Sequence, residues 1–111
     1  MKIIYNRFLP IKGFIAINLF GVLFARKEYN PLDNWTLNHE AIHTAQMKEL
    51  LYVFFYLLYA IEWVINLIKT RDFSSAYYRI SFEQEAYIHQ TDMSYLRERK
   101  AFAQWRKQSG N

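Results

Sequence analysis

An α+β fold is predicted for this chain: a small antiparallel sheet at the N-terminus, followed by three or more helices. Three observations carry the prediction. Short runs of branched and aromatic residues, separated by Pro10, Gly13 and Gly21, fill the first 26 positions and read as strands joined by turns. Residues 34–50 contain neither Gly nor Pro and repeat at helical spacing. Farther on, Ser81 with Gln84 three positions later has the S-x-x-Q form of a capping box at a helix start. With 111 residues and 13.5 kDa, a single domain over 1–111 is expected, with room for one core and one site.

Composition narrows what that domain does. Hydrophobic residues make up 52% and aromatics 19%, so either the core is unusually aromatic or part of the surface meets lipid, substrate or a partner. Cysteine is absent, which excludes disulfides and thiolate metal ligands. The net charge is +4, and Arg97, Arg99, Lys100, Arg106 and Lys107 crowd the last fifteen positions. Such a tail is a solvated terminus or a match for an anionic membrane face. The charge forms no recognition helix and no aromatic and basic fingerprint, so nucleic acid is not an expected partner.

The first strands are expected over residues 3–9, 14–19 and 22–26. Lys2 and the apolar residues after it resemble a signal peptide, but Arg7, Pro10 and Lys12 interrupt the run and no small-residue cleavage site follows. A cytoplasmic location is therefore expected, with attachment to the periphery of a membrane as its variant. Residues 28–34, with Asn30-Pro31 and Asp33-Asn34, form a turn that ends the sheet. A helix then starts with Asn34 or Thr36 as N-cap and runs to Leu50 or beyond, with His39, His43, Gln46 and Leu50 on one stripe.

Residues 50–68 carry only one charge, Glu62, and pass a hydropathy test for a membrane span. The stretch is nevertheless sided. Tyr52, Tyr56, Tyr59, Glu62, Trp63, Asn66 and Lys69 fall near one stripe, opposite Phe54, Leu57, Leu58, Ile61 and Ile65, which indicates an amphipathic helix in a core or flat on a membrane. A straight helix from 34 to 69 would end about 39 Å beyond His43, too far for the chain to return comfortably, so a bend is expected over 52–56. A loop or a loop plus one turn follows over 70–80. The last main helix should run from Phe82 to about Tyr95 or Leu96, and the tail packs back through Phe102 and Trp105.

One motif concentrates chemistry. His39-Glu40-Ala41-Ile42-His43 is an H-E-x-x-H pattern on a helix, where residues four apart share a face and both imidazoles reach one ion while Glu40 reaches its water. Zinc in a catalytic site takes three protein ligands, and two histidines with a carboxylate is a well-used set; His89 is the one other histidine, read as a core or exposed residue before a ligand. Glu49, Glu62, Asp72, Glu83, Glu85, Asp92 and Glu98 follow the motif. Glu49 lies too far along the same helix, Glu62 is on the stripe turned from the histidines, and a helix antiparallel to the first would offer Glu83 or Glu85.

His39-Glu40-x-x-His43 followed by Glu83-Gln84-Glu85-Ala86-Tyr87 resembles the gluzincin clan of zinc metallopeptidases, the small minimal gluzincins and HtpX-like peptidases in particular. The resemblance covers roughly residues 34–90. It implies a zincin-like fold, a Zn2+ cofactor held by His39, His43 and Glu83, and Glu40 as general base in peptide hydrolysis. The clan's second helix reads E-x-x-A-D. Ala86 matches, while Tyr87 stands where Asp is usual, which alters how a ligating histidine is oriented. An oxyanion stabiliser would come from Tyr77, Tyr78, Tyr87 or His89, with Tyr78 the first choice; each is otherwise an aromatic in the core. Asn38 and Gln46 are helix polarity or supports for the ligands. A peptide or protein substrate would add as a strand to an edge near residues 13–24. The competing readings are a non-enzymatic binding or regulatory module on the same scaffold, and a protein anchored in the membrane through residues 50–68.

Overall fold

Asn6 ends the first strand before it reaches Leu9. Its Oδ1 accepts from the backbone N–H groups of Phe8 and Leu9 at 2.9 and 2.6 Å, a side-chain turn that competes with continued pairing. In the computed structural model, which describes residues 2–107, strand β1 therefore covers Ile3–Asn6, with β2 at Ala16–Leu19 and β3 at Val22–Arg26. Phe20 and Gly21 join β2 to β3, both at positive φ (54° and 89°), as a tight hairpin of the primed type requires.

The arrangement is α+β, a three-stranded sheet followed by five helices. The strand directions are mixed, though, and the all-antiparallel expectation is corrected at β1. β2 and β3 pair antiparallel, but β3 lies between the others and pairs with β1 in parallel. The long connection over residues 7–15 carries β2 out to the far edge, and the hairpin then folds β3 back into the gap. This register puts Ile3, Tyr5, Ala16, Leu23 and Ala25 in one cluster with Leu32 and Leu37.

Helix α1, Asn34–Glu49, is capped by Asp33 rather than by Asn34 or Thr36. The Asp33 carboxylate accepts from the Thr36 N–H at 3.2 Å and its hydroxyl at 2.6 Å, satisfying a free donor at the helix start. The expected bend falls at residues 50–52, just ahead of the predicted stretch. Leu51 and Tyr52 both have positive φ, and the Val53 N–H donates to the Leu51 carbonyl at 2.6 Å, a tight γ-turn centred on Tyr52.

Helix α2, Val53–Thr70, then runs back along the body. It packs on α3, Phe73–Tyr78, and near α1. Helix α4 covers Ser81–His89 and α5 Tyr95–Glu98, so the single helix expected from 82 to 95 is two. The Ser81–Gln84 capping box does not form. Ser81 instead donates from its N–H (2.8 Å) and hydroxyl (2.7 Å) to Glu62 of α2, which places a carboxylate at the positive end of α4. At the other end, the Asn38 amide lies within reach of the carbonyls of His89, Gln90 and Asp92 and ends the helix there.

The second core cluster joins these helices through Met47, Phe55, Ile80 and Phe82. The tail closes over it as expected. Trp105 packs against Phe82 at 5.9 Å and stacks on Phe102 at 5.8 Å.

Candidate metal centre

Two turns of α1 and the first turn of α4 face each other across the core, and three side chains meet between them. His39 Nε2 and His43 Nε2 lie 3.2 Å apart, and Glu83 Oε1 lies 3.2 Å from the first and 3.0 Å from the second. All three residues are at most 6% exposed. Spacing four on α1 brings the imidazoles together; placing Glu83 in the first turn of α4 brings the carboxylate to them.

The surrounding amides fix which nitrogens point inward. The Gln46 NH2 donates to the Phe82 carbonyl (3.0 Å) and to Glu85 Oε1 (2.9 Å), so its oxygen is the atom that faces His43 Nδ1 at 2.8 Å. A carbonyl oxygen only accepts, so His43 Nδ1 carries the hydrogen. The Gln90 oxygen stands in the same relation to His39 Nδ1 at 2.8 Å. In their neutral forms both imidazoles then aim Nε2 lone pairs at each other and at a carboxylate oxygen. Three acceptors at contact distance in a buried place repel unless a cation or a proton lies among them.

Electrostatics in the metal-free chain follow this arrangement. Burial opposes a charge on His43, but the Glu83 charge and hydrogen bond, with help from Glu40 and Gln46, push its pKa up to about 9. Burial likewise opposes the Glu83 charge; His43, and hydrogen bonds from His39, His43 and Tyr59, outweigh it and hold the carboxyl well below the usual range. Glu40 is shifted the other way. Burial raises its pKa against the pull of both histidines, with Glu83 adding to the rise.

The donor set fits a divalent metal. Zinc bonds of about 2.0–2.1 Å in tetrahedral array place ligand atoms about 3.3 Å apart, and the three edges here are 3.0–3.2 Å. His39, His43 and Glu83 also form the one cluster of His and acidic side chains, among the described residues, that converges closely enough to hold an ion.

Of the other carboxylates, Glu85 is fully buried but turned away from the cluster. Its oxygens accept from Gln46, Tyr95 (2.6 Å) and Arg99, and these bonds hold its pKa down against burial. Glu62 caps α4, and Glu49 pairs with Arg99 at 3.1 Å.

The aromatic candidates separate clearly. Tyr87 packs edge-on against His39, with ring centroids 4.4 Å apart, and its hydroxyl meets that of Tyr77 at 2.9 Å. Tyr78 is 55% exposed and touches Tyr77 and Tyr87 rather than a ligand. His89 stacks on Tyr95 at 3.9 Å. Thus Tyr87 is the candidate that lies against His39, and Tyr78 is one ring farther out.

Sequence reading missed Gln90, which supports His39, and Tyr59, whose hydroxyl donates to Glu83 Oε2 at 2.6 Å. Tyr59 lies on the stripe expected to face away from the histidines. The break at Leu51 and Tyr52 turns that stripe toward them. Asn38 and Gln46, left open between helix polarity and support, are both buried and bonded.

No protein-family model, curated protein or solved structure matches this chain.

Proposed function

We propose that the protein is a zinc-dependent metallopeptidase acting on peptides or proteins, with His39, His43 and Glu83 as ligands and Glu40 as general base. The convergence of three potential ligand atoms beside Glu40 carries this reading. A zinc ion held there would supply Lewis acidity, polarising a carbonyl and acidifying water.

The chain's own residues divide the remaining work. Glu40, with its pKa raised by burial, suits a group that takes a proton from the attacking water and returns it to the leaving amine. Gln46 and Gln90 hold the imidazole tautomers, and Tyr59 orients the Glu83 carboxylate. β2 is an edge strand tied to the motif helix, since Asn18 donates to the Glu40 carbonyl and the Thr44 hydroxyl, each at 3.0 Å. A substrate strand added to that edge would run beside Glu40.

Two histidines and a carboxylate also suit ferrous iron; Glu40, adjacent to His39, favours zinc and hydrolysis. A second reading, a non-catalytic zinc module, is favoured by the burial of all three ligands, because structural sites are closed and catalytic ones open. Metal analysis and peptide cleavage by Glu40→Gln and Glu83→Ala separate these readings. The first variant should keep zinc and lose cleavage, and the second should lose zinc. Cleavage by Glu40→Gln at the unmodified rate would overturn the base assignment, and a zinc-loaded protein that cleaves nothing would favour the module.

A further inference from the structure

Helix α2 is inside out. Its polar and amphipathic side chains face the body: Tyr56 donates to the Asn18 carbonyl (3.0 Å), Tyr59 to Glu83 (2.6 Å) and Asn66 to the Ala76 carbonyl (3.2 Å), while Glu62 accepts from Ser81. The opposite arc holds Val53, Leu57, Ile61, Val64, Ile65 and Ile68, each between 45% and 72% exposed. The helix is about 27 Å long, its mean hydropathy is 1.4, and Phe55 is its one buried residue. A surface helix in water shows the reverse pattern, and large contiguous apolar patches are rare on monomers that stay in water.

We propose that this arc is a membrane-docking face, lying in the interface of an anionic bilayer with the helix axis parallel to the surface. The side-chain chemistry favours lipid over protein. Protein interfaces draw on Tyr, Trp and Arg anchors and on polar atoms that fix register, and in α2 the tyrosines and Trp63 point inward. What faces out is aliphatic apart from Phe54 and carries no side-chain hydrogen-bonding atom, which is all that acyl chains require.

Charge agrees. Lys69 lies at the edge of the arc and Arg71 just past the helix end, both exposed, on a chain of net charge +4, where they meet anionic headgroups. The packing selects a flat orientation over a spanning one. α3 and α4 are bonded along the length of α2 through Asn66, Glu62 and Tyr59, and their exposed side chains include Ser74, Arg79 and Gln84. A spanning α2 would carry these into the hydrocarbon layer. This inference is independent of the metal reading.

Flotation of the purified full chain with vesicles tests it, comparing equal parts phosphatidylcholine and phosphatidylserine with phosphatidylcholine alone. The protein should float with the mixed vesicles, at least about fivefold more weakly with the neutral ones, and a carbonate wash should release it. The double variant Ile61→Gln, Ile65→Gln leaves charge unchanged and alters two exposed positions; it should melt like the unmodified protein and bind at least about tenfold more weakly. Failure of the folded protein to float would overturn the proposal, as would flotation that the variant retains. So would release by detergent alone, which indicates a span, or a dimer in light scattering that the variant abolishes without any vesicle binding, which assigns the face to a second copy.

Discussion

Removing one oxygen from Tyr59 isolates a single contact of the candidate metal centre. Tyr59→Phe keeps the ring against Phe55 and Phe82 and deletes only the hydroxyl that donates to Glu83 Oε2. Zinc affinity should fall about tenfold, the lower end of what a lost ligand support costs, in competition with a chromophoric chelator. An unchanged affinity would mean that Glu83 is oriented without it. At this scale His39, Glu40 and His43 were legible because helical spacing is local, and the resemblance singled out Glu83. Gln90 and Tyr59 were not: Gln90 caps α4 where one longer helix was expected, and Tyr59 lies on the stripe read as turned from the histidines. Tyr78 was a choice among four aromatics, and the packing sets Tyr87 against His39.

Leu51 makes the element scale testable, because a side chain at φ 55° costs about 1–2 kcal/mol relative to the helical region. It is 71% exposed, so Leu51→Gly gives up little packing and should raise stability by about 0.5–1 kcal/mol in urea unfolding. A destabilised variant would show that the Leu51 side chain contributes more than its conformation costs. The sidedness of α2 was legible from the period of its aromatics, but which side faces the core was not, because a hydrophobic stripe conventionally marks the inside. Here the polar stripe is the inner one, since it has Glu83, Ser81, Asn18 and Ala76 to bond. The mixed sheet escaped notice for a similar reason: strand runs specify pairing propensity, whereas β1's neighbour is decided by how residues 7–15 carry the chain.

Across the whole molecule, a proton and the proposed metal would compete for one place. Because the His43 pKa is raised from 6.5 to about 9, its proton stabilises the metal-free fold fully below pH 6.5, and this contribution disappears as pH passes about 9. Zinc must displace that proton. Its effect on Tm should therefore grow between pH 6.5 and 9, in thermal melts run with and without zinc. A zinc effect that is flat with pH would show that His43 does not hold the proton. Acid acts elsewhere as well. Glu85 has its pKa lowered beneath 4.5, so its contribution is present above that pH and is lost on acidification, and Glu85→Gln should flatten the acid side of the stability profile.

Arg99 joins the last segment of the chain to this centre. It pairs with Glu85 and Glu49 and donates to Gln104 at 2.8 Å, while Glu85 holds the Gln46 amide whose oxygen fixes His43. Lys100 and Ala101, immediately after it, are open to solvent. A single cut by a trypsin-like protease after Lys100 would detach Phe102, Gln104 and Trp105 and leave Arg99 at a frayed end, so a nick at an exposed site would loosen the support of His43 and shorten the residence of any ion held there.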